Sequence, residues 1–181
     1  MKTNVNKAKN IFIIGLSIAL IISVFMLYHE KLENKKEYES QYESFLNRFY
    51  FNLSDAKAEL DVILTDDIEG EHLKRSLIVV ESKLNELYAI LDLGNATVNR
   101  GIRKQDTFLQ YSNTVSNFAE NDTLTTIEED FIEGMNKVLT VVENGLYSEK
   151  IGQEDPNLTI DEFNNILKEG TELYIELLKN N

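Results

Sequence analysis

From about residue 36 to the end of the chain, apolar residues recur at helical spacing, and no short apolar alternation bounded by turn residues argues for a strand. In the first stretch Leu46, Leu53 and Leu60 repeat every seven residues, with Tyr42, Phe49, Ala56 and Ile63 at the intervening positions, which is the a/d seam of a helix packed on other helices. Leu77, Leu84 and Leu91, interleaved with Leu73, Val80 and Leu87, predict a second helix that closes at LDLGN, where Gly94 is expected as its C-terminal cap. A third segment, residues 101–120, pairs Phe108 with Val115 and Tyr111 with Phe118. The Gln, Ser, Asn and Thr residues between them make it the weakest helix.

The fourth segment, 123–150, opens on a T-x-x-E box at Thr125 and Glu128, and its apolar residues cover nearly half the wheel, from Val141 round to Ile132. A fifth follows Pro156 with a second box, Thr159 and Glu162, and then Ile160, Phe163, Leu167, Gly170, Tyr174 and Leu177 in a/d order. Short polar breaks at 66–71, 93–101, 120–123 and 152–157 favour antiparallel neighbours. The expected fold is therefore all-α, an up-and-down bundle of four or five helices. The heptads are too few for a long coiled coil, although partial pairing with a second copy through the first helix is compatible with the pattern.

Ahead of the bundle the pattern changes. IFIIGLSIALIISVFMLY, residues 11–28, carries no charge and, as a helix, reaches about 27 Å, close to the thickness of a hydrocarbon core. Twelve of its residues are Ile, Leu, Phe or Val. They favour insertion by about 4 to 7 kcal/mol before Gly15 and the serines subtract. Phe12 and Tyr28 stand where aromatic belts form, and Lys9 and Lys31 flank the run. A cleaved signal peptide would have a shorter apolar core followed by a small-x-small site; here the serines and Ala19 lie inside the run. The apolar stretch passes into HEKLENKKEYESQYESFLNRFY without Gly or Pro, so a single N-terminal transmembrane helix continuing into the bundle is expected. The chain then divides into a basic tail (1–10), an anchor (11–28) and a helical-bundle domain (29–181).

Charge follows the same division. Residues 1–36 carry six Lys against Glu30 and Glu33, whereas residues 37–181 carry 12 basic and 29 acidic side chains, a net −17. Such a body repels phosphate backbones and anionic head groups, which argues against a nucleic-acid partner. Lys counts on the two sides of the span are equal, but a short tail with its own amino charge stays in the cytoplasm, and acidic residues count little in this rule. The N-terminus is expected inside and the acidic domain outside. Abundant Asn, Lys and Ile with a single Pro is the bias of an AT-rich bacterial genome, so the membrane is read as a bacterial plasma membrane.

Candidate chemistry is sparse. With no Cys, the chain has no thiolate nucleophile, disulfide or lipid-attachment Cys. His72 stands beside Asp66, Asp67, Glu69 and Glu71, but the spacing matches neither HExxH nor a calcium loop, and a polar turn at a helix start explains it. His29 and Glu33 share a helix face at the membrane boundary and are read as an interfacial charge pair. Glu128, Glu129, Asp130 and Glu133 form an acidic first turn facing a helix dipole. Glu81–Ser82 reproduces the catalytic dipeptide of helical wall-cleaving transglycosylases, yet their other motifs, including GLxQ, are absent. No catalytic residue, cofactor site or metal site is assigned.

One departure from pattern lies in NRFYFNL. With Phe49 in the core and Tyr50 flanking it, Phe51 points to solvent, and Ile78 does the same on the second helix. A further bundle helix packed across them is the favoured explanation, ahead of a partner protein. The function expected from all of this is non-enzymatic: a single-pass, membrane-anchored interaction bundle, loosely resembling extracytoplasmic sensor domains, that binds a protein or envelope ligand or a second copy. The alternatives are an envelope carboxylate enzyme such as a wall hydrolase and a membrane-anchored immunity protein.

Overall fold

The computed structural model describes the backbone of residues 2–66, 68–103 and 105–180, and side chains within 15–66, 68–103 and 105–176. The expectations for Lys2, Lys7, Lys9, Phe12, Asp67 and Leu177 lie outside the described side chains. Among the described residues there are five α-helices: α1 (Lys2–Thr65), α2 (Gly70–Leu93), α3 (Asp106–Phe118), α4 (Thr126–Leu146) and α5 (Ile160–Asn180). The chain divides into two compact units, Met1–Gln41 and Tyr42–Asn181.

In the first unit every described side chain is exposed. Leu20, Ile21, Phe25 and Leu27 each show 65–68% of their surface. A run of large aliphatic and aromatic residues bare on all sides of a helix is the reverse of a globular core and suits a lipid solvent. The helix is long and apolar enough to cross a membrane. Toward its polar end, ion pairs at helical spacing, His29–Glu33 and Lys35–Glu39, both 3.5 Å, lie on the surface.

The second unit is built on the C-terminal part of α1. Tyr42, Leu46, Phe49, Leu53, Ala56, Leu60 and Ile63, the seam predicted from the heptads, are all buried, and Phe45 and Tyr50 widen the apolar face. The width lets α1 touch each of the other helices. Phe163 of α5 meets the rings of Phe45 and Phe49 edge-on at 5.2 Å, and Phe108 of α3 meets Phe49 at 5.8 Å. Such edge-to-face aromatic pairs add about 0.5 to 1.5 kcal/mol each beyond the area they bury. On α2, Lys83 reaches Asp55 of α1 at 3.0 Å. α2 and α3 run antiparallel, since Lys74 pairs with Asp122 at 2.8 Å while Ser112 Oγ donates to the Glu81 carbonyl.

α4 and α5 approach closely through reciprocal glycines. Gly145 of α4 leaves room for Ile166, and Gly170 of α5 for Val142; a Cβ at either would come within 2.8 Å of the facing side chain. Both T-x-x-E boxes form. The Glu128 and Thr125 groups bond reciprocally at the start of α4, and the Thr159 N–H donates to Glu162 Oε2 at 2.8 Å before α5.

Three expectations are corrected, whereas Gly94 stands at the C-cap of α2 as expected, with a φ of −58°, and the chain continues as one π-helical turn over Gly94–Val98. Glycine is needed there because the Phe45 ring lies where its Cβ would project, 2.5 Å away. The connector is then pinned by the buried Asn164 of α5, which accepts from the Arg103 N–H and donates to the Gly101 carbonyl. The fourth helix stops at Leu146 rather than Lys150, and a two-residue antiparallel ladder, β1 (Tyr147–Ser148) with β2 (Gln153–Glu154), turns the chain through Gly152 at φ +79°. The buried face of α4 is narrower than half the wheel: Val141 is exposed, and Ile132, Met135, Val138, Leu139, Val142 and Leu146 form the core stripe. Finally, no bundle helix covers Phe51 or Ile78, which keep 48% and 56% of their surface. Phe51 lies outside the seam on which α3 and α5 set their rings, with the Tyr50 ring edge-on beside it, centroids 5.7 Å apart.

The Glu162 cap carries a pH signature. Its carboxylate is held below the ordinary value of 4.5, first by the Thr159 N–H and then by the Thr159 hydroxyl. A folded value below the unfolded one means stabilisation that is present above about pH 4.5 and lost as pH falls through the folded value. Glu162→Ala should therefore melt below the wild type at neutral pH, with the gap closing on acidification below 4.5. A gap that stays constant across that range in thermal unfolding would contradict the cap's ionic character.

Candidate functional site

Polar residues on α1 line up on one side: Asn47, Ser54, Lys57 and Asp61 are half-buried and follow one another at three-, four- and seven-residue steps. Asn47, Lys57 and Asp61 reach α4 and the hairpin through polar links. Asn47 Nδ2 donates to Glu154 Oε1 at 2.9 Å. Lys57 Nζ lies 3.1 Å from Asp61 and 3.7 Å from Glu143 of α4, and Asn136 Nδ2 of α4 donates to Asp61 Oδ1 at 2.8 Å. Burial acts to lower the Lys57 ammonium, but Asp61 and Glu143 outweigh it and hold the group above the ordinary lysine value. Burial, reinforced by Glu143, Tyr147 and Glu154, pushes the Tyr50 phenol up. The seam thus joins α1 to α4 through charge and amide groups, whereas α1 meets α3 and α5 through rings.

Within this seam Glu154 stands apart. It is only 4% exposed, one oxygen takes the Asn47 bond, and Oε2 has no hydrogen-bond partner among the described residues. A buried carboxylate is costly to leave incompletely satisfied. Sequence reasoning placed Glu154 in a polar break and passed over it. The signal that could have found it, the Asn47–Lys57–Asp61 stripe beside the heptad seam, was legible but pointed to no particular partner.

At the opposite end of the unit a cavity of about 390 Å³ opens between the end of α1, the α1–α2 turn and the start of α4. Ile63, Leu64, Ile68 and Leu124 supply apolar walls, and Glu69, Glu129, Asp130 and Glu133 supply carboxylates. Here the acidic cluster of the sequence separates into roles: Glu128 caps α4, Glu133 pairs with Lys137 at 2.6 Å, and Glu129 and Asp130 line the cavity. His72 is exposed on α2 and belongs to neither site. Among the described residues no three histidine or carboxylate groups come together in a geometry that could hold a metal ion.

Glu81 is half-buried on α2, outside the cavity, with its carbonyl engaged by Ser112. His29 remains in its exposed pair with Glu33. Comparison with protein-family models, curated proteins and solved structures yields no match.

Proposed function

We propose that the chain is a membrane-tethered, non-enzymatic interaction protein: α1 crosses a bacterial plasma membrane near its start and carries an acidic helical bundle on the extracytoplasmic side. The observation that carries this reading is the bare apolar surface of Gly15–Tyr28, continuous in one helix with a segment whose heptad seam is buried in a core. The described side chains of the first part, from Gly15 on, are all exposed, whereas the second part closes a core.

The rest of the bundle supplies surface rather than reaction chemistry. Its carboxylates act as caps, ion-pair partners and cavity walls, and large side chains such as Phe51 and Ile78 remain uncovered, as a helix-face contact would require. An interaction through helix faces, with an envelope protein or ligand, uses these features as they stand. Incubating the full-length protein with isolated cell wall tests the non-enzymatic part: no release of soluble fragments is expected. Release that disappears in Glu81→Gln would replace this reading with a wall hydrolase.

A further inference from the structure

We propose that the hairpin between α4 and α5 is a latch on α1, closed through Asn47 and held on the verge of release by the negative charge of Glu154. Three observations meet at this place. The hairpin is tied to α1 by the Asn47–Glu154 bond, which spans 107 residues of sequence. Closing it buries the Glu154 carboxylate with Oε2 unpartnered. No lysine, arginine or histidine among the described residues forms an ion pair with it.

The bond the carboxylate does receive comes from a neutral group, the Asn47 amide of α1, and its cross-strand partner in the ladder is Tyr147, which carries no positive charge. Lys57, the cation of this seam, is engaged with Asp61 and Glu143. The hairpin itself does not depend on α1: its ladder, the Gly152 N–H to Ser148 carbonyl bond at 2.8 Å and the Asp155 N–H to Leu146 carbonyl bond at 2.8 Å are all internal. It can lift as a unit and carry Glu154 into water. Local opening of this kind, paid back by hydrating a charge, leaves the rest of a core intact. Released, the hairpin would uncover Tyr50, which lies beside the already exposed Phe51, and so change the face offered to a partner. The latch concerns the chain's own conformations and stands whether or not the functional reading does.

Maleimide labelling of Tyr50→Cys, at a position covered while the hairpin is closed, reports release in the full-length protein held in detergent, with Leu53→Cys in the core as the reference for global opening. Glu154→Gln keeps an oxygen for Asn47 and removes the charge, so labelling at position 50 relative to position 53 should fall at least about tenfold. Asn47→Ala removes the bond and keeps the charge, and the same ratio should rise by a similar factor. An unchanged or higher ratio in Glu154→Gln, or an unchanged ratio in Asn47→Ala, overturns the latch. So does a change shared by both sites, which would report only global stability.

Discussion

Leu53→Asp should abolish the folded domain under conditions where the wild type is stable. Leu53 is fully buried in the middle of the α1 seam, so the substitution removes a branched side chain worth about 2 to 5 kcal/mol in a packed core. It also places a carboxylate where rings and aliphatic groups offer it no partner, a further cost of several kcal/mol. The sum is comparable with the whole stability of a domain of this size, about 5 to 15 kcal/mol. Leu84→Asp, at the equivalent depth on α2, should act alike. Loss of the cooperative thermal transition, followed by circular dichroism of the full-length protein in detergent, is the expected result. A transition within a few degrees of wild type would show that α1 is not the centre of the bundle.

The second large effect concerns the apolar segment. Leu20→Arg together with Ile22→Arg places two cations near the middle of the stretch, where each costs about 2.5 to 3.5 kcal/mol on the insertion scale. Both positions also forfeit a favourable aliphatic contribution. The combined penalty matches or exceeds the roughly 4 to 7 kcal/mol the segment gains. The double variant should move from the membrane pellet to the soluble fraction, while its bundle, which begins at Tyr42, melts as before. Retention in an alkali-washed pellet would mean that something other than this stretch holds the protein to the membrane.

How much of this was legible depended on whether the cause was local. The seam of Leu46, Leu53 and Leu60 and the T-x-x-E boxes were readable because a heptad and a cap are decided within a few residues. Gly94 was legible as the cap of α2, but the reason for glycine there, close approach of Phe45 rather than left-handed freedom, depends on a residue far away in sequence. The hairpin at 147–154 contains two residues per strand, below what any alternation rule can detect. Glu154 appeared as one more acid in a polar break, since its burial arises from Asn47, a partner the spacing of residues cannot name. Phe51 was rightly placed outside the seam, and the helices do pack on the seam as read, but the expected helix across Phe51 is not there.

The measurement that tests the central claim most directly uses the absence of cysteine in the chain. A single cysteine at Lys150, exposed in the hairpin turn, is treated in intact cells with a membrane-impermeant maleimide, and the membrane and medium are then analysed separately. A tethered extracytoplasmic bundle predicts labelled protein of full length in the membrane fraction. Labelled protein in the medium lacking its N-terminus would show that the apolar stretch is cleaved, and full protection until the cells are opened would place the acidic domain in the cytoplasm; either result contradicts the account.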